Sequence, residues 1–133
     1  MTDIKILQPD GWAAPKGYAN GISAKGRQIF IAGQIGWNAE ARFETDDFVA
    51  QVEQALSNVV AVLTAAGGKP EHIVRLNWYI TDKGDYTENQ RGIGEAYRRV
   101  IGRHFPAMTL LVVAGLLEPR AKVEIEATAV LPD

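Results

Sequence analysis

The stretch Met108-Thr109-Leu110-Leu111-Val112-Val113-Ala114-Gly115-Leu116 decides how this chain folds and what it must do once folded. Successive side chains of an extended strand leave opposite faces. Met108, Leu110, Val112, Ala114 and Leu116 therefore point one way, and Leu111 and Val113 the other. Both faces are apolar, the pattern of a strand covered on each side. Upstream, Ile29-Phe30-Ile31-Ala32-Gly33-Gln34-Ile35 is apolar at nearly every residue and carries the same message.

Around these two stretches the remaining elements fall into place. Gln8 to Gly21, with Pro9, Gly11, Pro15, Gly17 and Gly21, reads as a loop. Ile22-Ser23-Ala24 and Gln28 to Ile35 read as a hairpin turning at Lys25-Gly26-Arg27. Val49, Val52, Leu56, Val59 and Leu63 recur at three- and four-residue steps, the stripe of an amphipathic helix. Thr45 or Asp46 is positioned to cap it, and Gly67-Gly68 to end it in a left-handed turn. Ile73 to Thr81 alternates, with Val74, Leu76, Trp78 and Ile80 on one face and Arg75, Asn77 and Tyr79 on the other. A second helix is predicted from Asp85, with Glu88 three residues on in a capping-box arrangement. It buries Ile93, Tyr97, Val100 and Ile101 and leaves at Pro106. The last strands, Met108 to Leu116 and Ala121 to Val130, flank a turn at Glu118-Pro119. With a short first strand near Ile4 to Leu7, the order is β-β-β-α-β-α-β-β: an α+β domain whose two hairpins make the sheet mixed.

Two amphipathic helices cover only one face of such a sheet. The other face would expose a contiguous apolar patch of several hundred Å², which soluble monomers seldom do. At roughly 25 cal/mol per Å², burying it against copies of the chain contributes many kcal/mol before association costs. Shielding by loops and the N-terminal segment is the alternative. The expectation is a homo-oligomer.

Composition narrows the function. The chain has 133 residues, enough for one domain, with 47% hydrophobic and 23% charged residues and a formal net charge of −2. That balance gives no general attraction to nucleic acid. Arg98, Arg99 and Arg103 form a basic edge with Glu95 within intrahelical reach, the usual make-up of a solvated face. The absence of cysteine removes disulfides, thiolate nucleophiles and zinc-thiolate sites. His72 and His104 lie in different elements without HExxH spacing, and Ser23 and Ser57 lack a nucleophile elbow. No glycine-rich fingerprint for phosphate or dinucleotide appears, so no metal or cofactor is expected. The N-terminal residues lack a signal-peptide profile and no apolar run approaches the ~20 residues of a membrane span, so a cytoplasmic protein is expected.

Five segments, taken together, are similar to the RidA (YjgF/YER057c/UK114) family. These are Lys16-Gly17-Tyr18-Ala19, with Lys16 where the family has proline; Ile31-Ala32-Gly33-Gln34-Ile35-Gly36; and Gln54 to Val59 running on to Ala65-Ala66-Gly67. Phe105-Pro106-Ala107 and Lys122 to Ala129 complete the set. The resemblance implies a chorismate-mutase-like fold, a homotrimer, and ligand clefts between subunits. Many members hydrolyse reactive enamines and imines such as 2-aminoacrylate to a keto acid and ammonia, and some were described as endoribonucleases or translation inhibitors. By the same resemblance Glu124 matches the acidic residue that positions or activates water, and Asn89 a position near the cleft.

One departure stands out. Deaminases of the family carry an arginine directly after Phe-Pro-Ala, where it clamps the substrate carboxylate, and this chain has Met108. A guanidinium offers two parallel charge-assisted bonds, a thioether essentially none. At ~1.5–3 kcal/mol for each such bond, losing the clamp costs two or more decades in affinity. Arg75, Arg103, His104, Arg120 and Lys122 are the cations that could replace it.

Glu124 and Glu126, two apart on a strand, leave the same face. This is an arrangement suited either to a general acid-base pair or to a solvated face with Lys122. Tyr18 suits a planar ligand or the packing of a neighbouring subunit. Gly33 permits close approach of a backbone by ligand or partner, or plain tight packing. Asn77 sits on the polar face of its strand. The sequence thus supports a small-metabolite cleft protein, either an imine or enamine hydrolase of altered specificity or a non-catalytic binding or chaperone-like trimer, with a ribonuclease as a third reading.

Overall fold

The computed structural model describes residues 3–132. The elements run β1 (Asp3–Leu7), β2 (Gly21–Lys25), β3 (Arg27–Ile35), α1 (Phe48–Ala65), β4 (Ile73–Ile80), α2 (Lys83–Thr87), α3 (Gln90–Val100), β5 (Ala107–Val112) and β6 (Val123–Leu131). The main sheet has four strands in the order β3-β6-β4-β5, and β1 and β2 form a separate antiparallel ribbon. β6 is antiparallel to both neighbours, whereas β4 and β5 are parallel.

The α+β class and mixed sheet agree with the sequence reading, but neither expected hairpin forms. β2 pairs with β1, and β3 pairs with β6 from Arg27↔Leu131 onward. Gly26 explains the first change. At φ +147 its Cα lies against the Leu131 carbonyl, where no side chain fits, so the chain crosses the end of β6 and β3 takes β6 as its partner. The second change follows from β5 running beside β4, with Leu76↔Met108 and Ile80↔Val112 in register. Parallel neighbours need a crossover, which α2 and α3 provide. β5 stops at Val112 rather than Leu116, where Val113 N–H donates to the Ile80 carbonyl (2.8 Å) beyond the end of the ladder.

α1 forms where the stripe predicts it, capped by Asp47 instead of Thr45 or Asp46. The Asp47 carboxylate accepts from Ala50 N–H (2.9 Å), while Thr45 Oγ1 accepts from Asp47 N–H (2.9 Å) in the preceding turn. Gly67, at φ +83, ends the helix: Gly68 N–H reaches Leu63 O and Gly67 N–H reaches Thr64 O, a Schellman closure. By length and composition α1 is apolar enough to span a bilayer. Its Val52, Leu56, Val59 and Leu63 are instead fully enclosed against the sheet. The second helix is broken in two. Asp82 caps α2 by accepting from Gly84 N–H (2.9 Å), Glu88 closes α2 rather than boxing its start, and α3 begins after Asn89.

α1 and α3 lie on one face, over Ile31, Leu76, Trp78, Ile80, Val123 and Ile125. Tyr97 of α3 donates its hydroxyl to the His104 carbonyl (2.6 Å), and burial pushes that phenol far above its ordinary value. Leu56→Ala is expected to cost ~2–5 kcal/mol in denaturant unfolding, the range for removing an enclosed leucine side chain. A raised phenol stabilises the fold fully below its unfolded pKa of about 10 and loses that contribution as pH climbs toward the folded value. Wild type should therefore destabilise more steeply above pH 10 than Tyr97→Phe in parallel alkaline melts.

Candidate functional site

The face of the sheet away from the helices is set by the alternation of β4 and β6. Leu76, Trp78 and Ile80 of β4 and Val123, Ile125 and Ala127 of β6 are buried under the helices. Arg75, Asn77, Tyr79, Glu124, Glu126 and Thr128 consequently leave the other side. Register places Asn77 opposite Glu126 and Tyr79 opposite Glu124.

The two carboxylates have different surroundings. Glu126 Oε1 accepts from the Tyr79 hydroxyl at 2.6 Å and from Asn77 Nδ2 at 3.2 Å, and Asn77 Oδ1 in turn accepts from Arg75 Nε at 3.3 Å. The hydrogen bond to Glu126 raises the Tyr79 phenol above its ordinary value. Desolvation and the negative charges of Glu126 and Glu124 add to the effect, and Arg75 opposes it. Among the described residues no group hydrogen-bonds the Glu124 carboxylate. Its room comes from Gly33: a Cβ at that position would lie 2.8 Å from Glu124 Cδ and Oε2. Gly33 lies within an irregularity in the β3-β6 ladder between Ile31 and Gln34, which lets the strand change facing there. The close approach expected at Gly33 is thus filled within the chain by Glu124.

Tyr18 and Met108 come together elsewhere. Ala19 N–H donates to Pro106 O (3.0 Å), and Ala19 bridges Ala107, strapping the loop to the start of β5. Tyr18, Met108, Thr109 and Arg75 then border a hollow of about 600 Å³. Among the described residues, Arg75 is the one cation lining it. Of the other cations considered in place of the missing arginine, Arg120 Nε donates to Asp46 Oδ1 (3.0 Å) and its guanidinium lies over Phe43, 5.4 Å from the ring centre. The His104 ring is bonded to the Ile73 carbonyl (2.6 Å).

Met108 opposes Leu76 and Glu124 opposes Tyr79, three residues further along β4. At ~3.3 Å per residue this is about 10 Å, and Met108 packs toward the helix side. One subunit therefore does not unite Glu124 with Met108. Asn89 joins neither group; its Nδ2 donates to the Asp85 carbonyl (2.8 Å) at the break between α2 and α3. The basic edge of α3 is partly neutralised: Arg99 reaches Glu53 on α1 at 2.6 Å, and Glu95 pairs with Arg91 at 3.7 Å rather than with the later arginines.

Sequence reasoning passed over Tyr79 as a ligand of Glu126, and Gln51 altogether. Gln51 is fully buried. Its Nε2 donates to Thr45 O (3.1 Å) and Arg120 O (3.0 Å), and its Oε1 accepts from Lys122 N–H (2.9 Å), fixing the chain two residues before Glu124. The available signal was its position on the buried side of α1, between Phe48 and Ala55. Gly36 is glycine for the same reason, since a Cβ there would fall 2.6 Å from Gln51 Cβ.

The family model described as Endoribonuclease L-PSP matches residues 10–131. Protein DfrA of Myxococcus xanthus is 37% identical over 107 residues, covering 79% of this chain and 77% of that protein. The 2-iminobutanoate/2-iminopropanoate deaminase of Escherichia coli strain K12 is 34% identical over 116 residues, covering 85% and 86%. Among solved structures, the conserved Rid family protein YyfB of Yersinia pestis, whose function is described as unknown, superposes with a TM-score of 0.86. It is 30% identical and covers 97% of this chain and 99% of that one.

The contact between Gly33 and Glu124 is testable by a double-mutant cycle. Gly33→Ala should cost about 0.5–1.5 kcal/mol because the Glu124 side chain must leave its rotamer. In a Glu124→Ala background the same change should be neutral or stabilising, as Ala for Gly in a strand normally is. Equal costs in both backgrounds, read from denaturant midpoints, would show that the two side chains do not compete for one space.

Proposed function

The chain belongs to the endoribonuclease L-PSP family, the RidA/YjgF group, and from that premise we propose that it is a homotrimer whose inter-subunit clefts receive a small imine or enamine. The observation that carries this reading is the asymmetry of the two carboxylates: Glu126 is tied to Tyr79 and Asn77, while Glu124 stands unengaged in the space left by Gly33. A carboxylate held in place but free of protein donors is what a general base needs. In the proposed reaction water adds to the C=N carbon as Glu124 takes its proton. Glu124 returns that proton to nitrogen to give the carbinolamine, then carries the carbinolamine's hydroxyl proton to nitrogen as the C–N bond breaks, and ketone and ammonia leave.

Assembly is supported by two features. Phe30 is 74% exposed and Leu111 is 50% exposed on strands of the main sheet, a wasteful arrangement for a lone subunit. In addition, Glu124 and the hollow beside Met108 and Tyr18 are separated within a chain, so a cleft containing both needs a second copy. Met108 gives that cleft an apolar wall in place of a carboxylate clamp, and Arg75, which borders the same hollow, is already turned to Asn77 through its Nε. The favoured substrates are therefore imines lacking a carboxylate next to the C=N carbon. The pairing of Arg99 with Glu53 counts against a nucleic-acid-binding edge, and so against the ribonuclease reading.

Ammonia release from imines generated in situ tests the proposal. Wild type should turn over 2-aminoacrylate poorly, and Met108→Arg should raise kcat/KM at least about 10-fold, the value of one charge-assisted bond. Glu124→Ala should lower every measurable turnover by about 10²–10⁴. Rapid wild-type hydrolysis of 2-aminoacrylate would refute the role given to Met108. Failure of every imine in the panel would favour a non-catalytic binding protein. Light scattering should give about three times the 14.5 kDa of one chain; a mass of one chain would remove the trimer.

A further inference from the structure

On the uncovered face of the sheet, the charges of β4 and β6 are sorted by sign. Arg75, Asn77 and Tyr79 stand in register with Thr128, Glu126 and Glu124, so both carboxylates lie toward one end of the strip and Arg75 at the other. Arg75 is exposed, and its Nε donates to Asn77 Oδ1 (3.3 Å), which turns the guanidinium along the strip toward the carboxylates. Among the described residues the ion pairs are those of Arg91, Arg99 and Arg120, so Arg75 keeps an unpaired charge and open terminal nitrogens.

Arg75 also lines the hollow of about 600 Å³ beside Tyr18, together with Thr128 directly opposite it and Thr109 opposite Asn77 on β5. Directly opposed side chains in a sheet lie about 5 Å apart and diagonal ones about 7–8 Å, so the arginine and both hydroxyls can meet one ligand group. A guanidinium with open terminal nitrogens takes a carboxylate through two parallel charge-assisted bonds. The opposite end of the strip, with two carboxylates, suits the basic nitrogen of a C=N group.

We infer that Arg75, flanked by Thr128 and Thr109, binds a carboxylate that the substrate carries far from its C=N group. The inference rests on the reaction proposed above and names its substrate class: imines of oxo acids whose keto and acid groups are well separated. The spacing follows from the strands. The Arg75 level lies four residues from that of Glu124, and the guanidinium is drawn two residues closer by Asn77. At ~3.3 Å per residue the two ends are about 7–13 Å apart. Three bonds of an extended chain span about 3.8 Å, which places the carboxylate roughly six to ten bonds from the C=N carbon. Met108 leaves the acid group without a clamp beside the C=N carbon, and Arg75 supplies one at the far end.

The imines of 8-oxononanoate and of nonan-2-one differ only in one terminal group, and an amine oxidase forms both in situ from the corresponding amines. Wild type should hydrolyse the first with a kcat/KM at least about 10-fold higher, the value of one charge-assisted bond. Arg75→Gln should bring the ratio to about 1, and Arg75→Lys should restore part of it by restoring the charge. Thr128→Val, which keeps the shape and removes the hydroxyl, should lower the ratio about 5-fold, as loss of one neutral hydrogen bond does. Equal hydrolysis of both imines by wild type overturns the inference and leaves the reaction standing, as does a ratio that survives in Arg75→Gln. Hydrolysis of neither overturns the reaction, and the affinities of the two ketones then decide the carboxylate site. There 8-oxononanoate should bind wild type at least about 10-fold more tightly than nonan-2-one, with no preference in Arg75→Gln. Equal affinities in wild type refute the site.

Discussion

Two crossovers govern this structure. β3 passes through α1 to reach β4, and β4 passes through α2 and α3 to reach β5, and both routes lay their long helix on the same side of one four-stranded sheet. That side is saturated: Val52, Leu56, Val59 and Leu63 meet Ile73, Leu76, Ile80 and Ile125 with no exposure to speak of. The opposite side receives no helix at all. It is left with Phe30 and Leu111 in the open and with a row of polar side chains from β4 and β6. β3 and β5 also end the sheet as edge strands, whose unpaired backbone groups invite association. Greasy surface and polar chemistry thus share the face that no helix of the described residues covers.

Within that face, local differences separate two residues that the sequence presents as twins. Glu124 and Glu126 leave β6 in the same direction, but β4 offers a phenol and an amide to Glu126, while β3 offers an empty side-chain position to Glu124. Neutral donors and a nearby cation hold the first in place. The second keeps its lone pairs. Gln51 supports this division from the buried side by fixing the backbone at Lys122. Its amide acts as a fully enclosed brace between α1, the Thr45 turn and the approach to β6.

Much of this was legible in the sequence. The stripe of α1, the alternation of β4 and the shared direction of Glu124 and Glu126 are one-dimensional patterns, set by 3.6 and 2.0 residue periods. Strand partnership was not, because β3 pairs with a strand about a hundred residues away and β2 is taken by β1, with Gly26 pressed against the Leu131 carbonyl where the two part. The break between α2 and α3 was hidden for a different reason. Asp82, Asp85, Glu88 and Asn89 are all good capping residues, and the chain uses Asp82 and Asn89 where the pattern pointed to Asp85. Gly33 reads in the sequence either as a place where a ligand or partner comes close or as plain tight packing; the group that lies against it in the structure is the Glu124 side chain of β6, which no local pattern reveals.

Met108 connects these observations. It opposes Leu76 in register and packs in part against the same core that holds Trp78, so its side chain serves the interior and borders the hollow beside Tyr18 at once. A guanidinium at this point would carry its charge against leucine and indole, where desolvation is expensive unless a carboxylate or phosphate meets it. A thioether has no such requirement and adapts its shape to irregular walls. Met108 therefore leaves Trp78 in the adjacent core without an uncompensated charge beside it. On the proposed function, substrate preference and core packing are two consequences of one choice of side chain at this position.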